Sequence, residues 1–410
     1  MNHAPSAQSI LERCDALARC SEAQDKLTRV YLSTEMRAAN ELVQGWMREA
    51  GMAVHIDAIG NVCGRYQGAT PGLPALLLGS HLDTVRDAGK YDGMLGVVSA
   101  IECVAVLHAQ GKRPPFAIEI IGFADEEGVR FGSTLIGSRA VAGTFKAETL
   151  DAADASRVTL RDALREYGLD PDRVNEAARR RDDVLAFVEL HIEQGPVLES
   201  LDLPVGVVTA INGATRFQIE IEGVAGHAGT VPMHLRHDAL TAAAECVLAI
   251  EQRCRTEADL VGTVGKLETL PGAINVIPGK VRFTLDVRAP ADAQRRKAAE
   301  DITNALRAIC DKREVKLSMT ILHENTIAGC APWLMQQLDT AVAGAGIQVH
   351  RLPSGAGHDG MAMQALCDIG MLFVRCKAGI SHNPAESVTA QDVEAGARVL
   401  LSFIENFQSQ

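Results

Sequence analysis

Side chains able to hold a metal ion or move a proton stand at the ends of three strongly apolar runs of this sequence. LPALLLGSH (73–81) closes on His81 and continues to Asp83; FAIEIIGFA (116–124) runs into Asp125, Glu126 and Glu127; VLAFVELH (184–191) closes on His191, with Glu193 two residues on. Runs this apolar are expected to be central strands buried on both faces. Open α/β sheets collect their ligands beyond the carboxyl ends of such strands, so the three polar tails are expected to meet. Asp92, in YDG ahead of the next helix, and His382, in SHNPAE after the last apolar run, add a carboxylate and an imidazole from loops. Imidazole with carboxylate and no thiolate suits zinc, manganese or cobalt, and this many donors point to a dinuclear site. Two adjacent glutamates at a buried strand end are costly without cationic partners, which metal ions would provide. Asp83 is expected to accept the second ring hydrogen of His81 and so set its tautomer. A lone histidine or an acidic triplet is ordinary in a loop; the conjunction of all of them carries the reading.

The elements that must position these residues show the same pattern. Between the first two runs, residues 93–110 have helical length and character, completing a β-α-β unit. A polar, helix-prone stretch (150–183) leads to the third run, and the α/β texture continues to about residue 212. RFQIEIEGV (216–224) then alternates like a half-buried strand. Next come a helix (238–255), VGTVGKLETL (261–270), VRFTLDVRA (281–289), a second helix (291–311) and VKLSMTIL (315–322). That β-α-β-β-α-β order marks a ferredoxin-like unit, with its helices on one face of an antiparallel sheet. MLFVR (371–375) and a closing helix (390–408) return to the first sheet. The expected fold is therefore α/β: a catalytic domain with a mostly parallel sheet flanked by helices (1–212 and 330–410), interrupted by a ferredoxin-like α+β insert (213–329).

Composition narrows the function classes. A chain of 410 residues, 47% hydrophobic and 22% charged, is ordinary globular material for two or three domains. Its 52 acidic against 40 basic residues give a net charge of −12, which repels nucleic acid and anionic membrane surfaces. No apolar run reaches the roughly 18 residues of a membrane span, and the first twenty residues lack a signal-peptide core, so a cytoplasmic protein is expected. The ten cysteines include no CxxC pair, which disfavours a cysteine zinc finger or iron–sulfur cluster and leaves metal binding to His and carboxylates.

HLDTV, YDGMLG, ADEEGVRF, ELHIEQGPVLE, GHAGTVPM, NVIPG, SGAGHDGM and ISHNPAE occur in this order from about residue 80 to 390. Together they resemble the hydantoinase/carbamoylase amidohydrolases of the dinuclear-zinc aminoacylase and carboxypeptidase clan. The resemblance implies that His81, Asp92 and His191 hold one divalent ion and Asp92, Glu127 and His382 the other, with Asp92 as the bridge. It implies zinc first, with manganese, cobalt or nickel as substitutes, and a homodimer formed through the 213–329 insert, which also acts as a lid. Glu126 is implied as general base, taking a proton from water at the metals and returning it to the leaving nitrogen of a ureido or amide group. His227 is implied as an oxyanion donor, Arg288 as the partner of a substrate carboxylate, and Asn275 as a hydrogen-bonding neighbour. Gln194, His237 and the backbone at Gly357 are further expected substrate contacts.

Arg216, in AINGATRFQIE, separates two substrates. The stretch resembles allantoate amidohydrolases, whereas N-carbamoyl-L-amino-acid hydrolases resemble it with apolar residues instead. The expected activity is hydrolysis of a carboxylate-bearing ureide, allantoate first and an N-carbamoyl-L-amino acid second. A peptide or ureide binder that has lost catalysis is the alternative of another class, disfavoured because a binder has no need of Glu126. An NAD-dependent oxidoreductase is disfavoured too: Gly355, Gly357 and Gly360 spell GxGxxG, but Pro353 and Ser354 precede the glycines and no acid stands about 20 residues on.

Overall fold

A computed structural model describes residues 4–410 of the chain. In order these form α1 (Ala7–Ala18), α2 (Thr34–Glu49), β1 (Ala53–Ile56), β2 (Val62–Tyr66), β3 (Ala75–His81), α3 (Met94–Ala109), β4 (Ala117–Phe123), α4 (Ile136–Val141), α5 (Leu160–Tyr167), β5 (Val184–Ile192), α6 (Val197–Ser200) and β6 (Val205–Ile211). Then come β7 (Gly213–Glu222), β8 (Gly226–His227), α7 (Ala239–Cys254), β9 (Val261–Thr263), β10 (Leu267–Leu270), β11 (Val276–Ile277), β12 (Lys280–Ala289), α8 (Asp292–Lys312) and β13 (Lys316–Asn325). The chain ends with β14 (Ala328–Gly329), α9 (Pro332–Gly344), β15 (Arg351–Ser354), α10 (Gly360–Met363), β16 (Ile369–Val374) and α11 (Ala390–Asn406). It divides into two compact units: the chain up to Thr209 with Gly329–Leu352 and Ala356–Gln410, and Ala210–Ala328 with Pro353–Gly355. The first break falls three residues before the expected 212/213 and the second one residue before 329/330, while Pro353–Gly355, expected in the catalytic domain, joins the second unit.

The larger sheet has nine strands in the order β1-β2-β4-β3-β5-β16-β6-β14, with β15 beside β6. The apolar runs make its centre: β4, β3, β5 and β16 are mutually parallel, while β2 and β6 flank them antiparallel. β3, β4 and nearly all of β5 are buried on both faces, which is why their sequences read as continuous rather than alternating. Register then decides where their last residues fall: His81 pairs with Phe123, and His191 with Phe373. The strands end level, so the polar segment after each of them leaves the sheet along one edge.

The helix after the first of these strands is apolar on every side and buried along nearly its whole length. It lies so close to β5 that a Cβ on Gly96 would overlap the carbonyl oxygen of Leu190. Gly96→Ala is therefore expected to lower stability by about 1–3 kcal/mol, read by chemical denaturation. Because Leu190 precedes His191 and α3 begins just after Asp92, the same variant should also bind divalent metal more weakly.

The second unit carries a sheet in the order β10-β12-β7-β13, antiparallel throughout, with β9 continuing the β10 edge along β12. Phe217, Ile219 and Ile221 of β7 and Val281, Phe283, Leu285 and Val287 of β12 face α7 and α8 in one apolar cluster. Alternation leaves Arg216 on the opposite face with Asp286 and Arg288. This is the ferredoxin-like arrangement, with one departure: VGTVGKLETL is two short strands interrupted at 264–266 rather than one. Within 150–183 only α5 is a regular α-helix; Gly168 ends it in a left-handed cap, and 3-10 turns come next. The amphipathic α1 and α2, the short β1 and β2, and β6 are additions to the elements expected from the apolar runs. Among the described residues no helix is long and apolar enough to cross a membrane.

Candidate metal centre

Asp92 occupies the middle of the site, immediately before the positive end of α3. Its Oδ1 lies 3.1 Å from His191 Nε2 and 3.6 Å from His81 Nε2, and its Oδ2 lies 3.1 Å from His382 Nε2. His382 Nε2 also lies 3.5 Å from Glu127 Oε1. Two donor groups result, each with its ligand atoms within 4.8 Å of one another: His81, Asp92 and His191; and Asp92, Glu127 and His382. Burial alone would raise the Asp92 carboxyl, but three imidazoles hold it well below the ordinary carboxylate range.

Each strand-borne imidazole is oriented from behind by a carbonyl. His81 Nδ1 lies 3.0 Å from the Asp83 carbonyl and His191 Nδ1 lies 2.8 Å from the Ile192 carbonyl. A carbonyl only accepts, so Nδ1 bears hydrogen and Nε2 carries the lone pair, which on His191 accepts from the Gly93 amide at 3.2 Å. This corrects the expected role of the Asp83 side chain. Its carboxylate is 3.8 Å from His81 Nδ1 and instead accepts the backbone amides of Glu126 and Glu127, at 3.0 and 3.1 Å. The chain turns after His81, so the carbonyl of Asp83 meets the ring while its side chain braces the glutamate loop. Gly93, with φ of 74°, closes against the His81 ring, where a Cβ would stand 2.6 Å from ring carbons.

Glu126 and Glu127 come after a left-handed Asp125, whose φ of 54° turns the chain sharply at the end of β4. Burial pushes the Glu126 carboxyl well above the carboxylate range; His81 opposes this, while Glu127, Asp359 and Asp83 add to it. Glu127 is pushed up to about 7, again chiefly by burial. Glu126 also approaches His81 and Glu127 in a third donor group, and a Cβ on Gly357 would stand 3.9 Å from its Oε1.

His382 rides on the loop between β16 and α11. Lys377 N–H donates to the Ser387 carbonyl, and Arg375 at the loop's start grips Asp392 in α11 through Nε and Nη2, at 2.8–3.1 Å. His382 itself is left-handed, with φ of 53°. Several residues nearby take roles that the linear chain does not disclose. Gln194 Nε2 donates to Asp92 Oδ2 and to Ser381 Oγ, each at 3.0 Å, so the structure uses Gln194 to hold the shared carboxylate. Glu386 accepts the amides of Tyr91 and Asp92 through Oε1 and the Ser381 hydroxyl through Oε2. Its only sequence signal is its place in SHNPAE. Glu189 and His358 form a further buried donor group with His191, and Glu189 Oε1 accepts from Ser80 at 2.7 Å. A glutamate inside the apolar run VLAFVELH is the available signal there.

Not every acid at a strand end joins the site. Glu193 turns away and caps α6, accepting the amides of Val197 and Leu198 at 2.7 and 2.9 Å. Asp125 is buried outside the donor groups.

The second unit holds the other expected residues in separate places. β8 pairs with β11, setting His227 opposite Val276, and the Ala228 amide donates to the Asn275 carbonyl at 3.0 Å. His227 and Asn275 are thus neighbours on one exposed ribbon. The Gly229 amide donates to His227 Nδ1 at 3.0 Å, leaving Nε2–H as an outward donor. Arg216 and Arg288 line a cavity of about 550 Å³ on the helix-free face of the sheet. His237 is not part of that lining; it stands beside Glu314, 3.7 Å from its carboxylate.

The donors fit a divalent cation. Among the described residues the ion-pair partners of Asp92 and Glu127 are imidazoles, with no lysine or arginine to balance the buried carboxylates. Buried acids in that state need further positive charge, and mixed imidazole and carboxylate donors are those of a first-row divalent metal.

The model of Peptidase family M20/M25/M40 matches residues 77–406. The chain is 42% identical to allantoate deiminase of Arabidopsis thaliana, over 96% of this chain and 81% of that protein. It is 44% identical to N-carbamoyl-L-amino acid amidohydrolase of Geobacillus stearothermophilus, over 91% of each. The crystal structure of a hydantoinase/carbamoylase family amidase from Burkholderia multivorans, 30% identical, superposes with a TM-score of 0.92 over 98% of this chain and 97% of that one.

Proposed function

Because the chain belongs to Peptidase family M20/M25/M40, a family of hydrolases, we propose that it hydrolyses the carbamoyl carbon–nitrogen bond of a small carboxylate-bearing ureide at a dinuclear metal centre. The observation that carries this reading is the pair of donor groups sharing Asp92, with Glu126 at their edge. Zinc is the ion proposed first, with manganese, cobalt or nickel able to replace it at the same donors.

Held by these residues, a pair of divalent cations supplies Lewis acidity, acidifying water and polarising a carbonyl. The protein's own work is positional and acid–base. Asp92 would be shared by the two ions, and the carbonyls behind His81 and His191 keep the Nε2 edge of each ring beside it. Glu126 takes the proton of the attacking water and delivers it to the leaving nitrogen as the carbon–nitrogen bond breaks. Burial raises its proton affinity toward the range in which one carboxylate can serve as base and then acid. Asp83 fixes that glutamate by holding its backbone amide. His227, whose free ring hydrogen is a donor, is proposed to stabilise the oxyanion.

Allantoate is the substrate proposed first, with release of ammonia and carbon dioxide from its carbamoyl group. Arg216 supports this choice, because a second cation beside Arg288 suits a substrate with more polar acceptors. N-carbamoyl-L-amino acids are the second reading, supported by the 44% identity to the Geobacillus enzyme. Steady-state assay of the metal-loaded protein on both substrates tests the proposal, and turnover of neither would refuse it. Arg216→Leu is expected to reduce kcat/KM for allantoate by about 10- to 100-fold, as loss of charged hydrogen bonds does. Its effect on a carbamoyl amino acid should be smaller; an equal loss on both removes the assigned role.

We also place the enzyme in the cytoplasm, in keeping with ten free cysteines, and as a homodimer through the second unit. Sedimentation equilibrium returning the mass of one chain would refuse the dimer.

A further inference from the structure

Antiparallel register sets Asp286 of β12 directly opposite Arg216 of β7. Arg288 stands two residues along β12, on the same face as Asp286. All three line the cavity of about 550 Å³ in the second unit. Asp286 binds both cations at once: Arg216 Nε donates to Oδ2 at 3.0 Å, while Arg288 donates from Nε to Oδ1 at 3.1 Å and from Nη2 to Oδ2 at 2.9 Å. Arg288 Nη1 donates to the Gly355 carbonyl at 2.7 Å. The two arginines hold the Asp286 carboxyl below its ordinary value even though half-burial pushes the other way.

The geometry of the guanidinium gives these bonds a directional meaning. Of its five N–H donors, Asp286 takes those on the Nε edge and Gly355 takes one on Nη1. One N–H remains on each of Nη1 and Nη2, the two terminal nitrogens with which a guanidinium grips a carboxylate. Arg216, engaged through Nε, keeps both of its terminal nitrogens for the same cavity. Two guanidiniums and one carboxylate leave a single positive charge, matched by one anionic group.

We infer that Asp286 is a positioning residue that locks Arg288 into a preorganised fork for the single carboxylate of the substrate and holds Arg216 beside it for the further acceptors of a larger ureide. The inference rests on the proposal that the chain hydrolyses a carboxylate-bearing ureide. Asp286 touches no reacting atom; its effect passes through the two arginines, by removing the freedom that each would otherwise lose on binding.

The test uses the metal-loaded full chain with two probes, N-carbamoylglycine and its neutral primary amide, with binding read by titration calorimetry. The unmodified protein is expected to prefer the carboxylate at least tenfold. Asp286→Asn should weaken carboxylate binding by 10- to 100-fold and leave the amide within about twofold. For whichever ureide is hydrolysed, KM should rise while kcat stays within a few-fold, since binding lost equally from ground and transition states has that signature. Arg288→Lys should produce a similar loss, and Asp286→Asn combined with it should be little worse than either alone, because both act through one fork. Equal binding of the two probes by the unmodified protein overturns the inference. So does an Asp286→Asn protein that keeps its preference, or additive losses in the double variant. Should Asp286→Asn fail to fold, Asp286→Glu supplies the comparison: its longer side chain keeps the charge but shifts the fork, and an unchanged preference overturns the inference. A protein that selects the carboxylate through Asp286 yet hydrolyses no ureide would refuse the proposed reaction and leave this inference standing.

Discussion

Exchange of Glu126 for glutamine is expected to lower kcat about 10²- to 10⁴-fold, the range that a positioned acid–base group contributes, while the protein stays folded and metal-loaded. Glutamine has nearly the same size, and its backbone amide can still donate to the Asp83 carboxylate, at the 3.0 Å seen for Glu126. The side chain loses only the ability to take a proton. Burial dominates the Glu126 carboxyl, with His81 opposing it and no lysine or arginine among the largest influences to anchor it as a carboxylate. Removing its charge should therefore relieve burial cost, and the variant should melt no lower than the parent. The measurements are kcat at saturating substrate, metal content by elemental analysis and a thermal melt. Retention of more than a tenth of the activity would assign the proton transfer to another group.

Asp92→Asn is expected to have the other large effect, for a different reason. Asp92 alone among the donors belongs to both three-residue groups of the proposed centre, so its loss weakens both ions together. Replacing His382 or His191 removes a donor from one of those groups only. A metal at about a hundredfold excess over its dissociation constant stabilises a fold by about 2.7 kcal/mol. The parent should therefore melt at a higher temperature when a divalent ion is added to chelator-treated protein, and Asp92→Asn should show little such rise. Activity should fall by about three orders of magnitude or more if hydrolysis depends on acidified water, as metal-assisted hydrolysis does. Asparagine preserves shape and its carbonyl can still accept from Gln194, so a metal-dependent rise equal to the parent's would place the ions elsewhere. The melting experiment needs no substrate and reads the metal site even if the proposed reaction is wrong.

Both predictions concern residues visible in the linear chain. The apolar runs ending at His81, Phe123 and His191 could be recognised as double-face-buried strands because burial on both sides removes polar residues from the whole run. Once those strands are parallel and level, the segments beyond them must leave at one edge, and the donors on them converge with no further information. The same holds for the second unit, where alternation in β7 and β12 fixes which side chains meet the helices.

Partners remote along the chain were not legible. Glu386 reaches the amides of Tyr91 and Asp92 from nearly three hundred residues away, and nothing in SHNPAE says whether its last residue faces solvent or the shared aspartate. Gln194 reads as a polar residue near a strand end; only the folded loop carrying Ser381 shows that its Nε2 holds Asp92. Asp83 gave the right neighbourhood and the wrong atom, because the turn after His81 exchanges the places of its carbonyl and its carboxylate.

Sequence by itself therefore determined the architecture and the sheet edge at which the candidate donors gather, since burial and strand periodicity are written locally, residue by residue. The tertiary structure decided which groups orient each imidazole, that Gln194 and Glu386 support Asp92, and that Asp286 ties two arginines together. Hydrogen bonds are short and directional: their partners exist only after strands have paired and loops have closed, and a one-residue change of register or turn would assign them to different atoms.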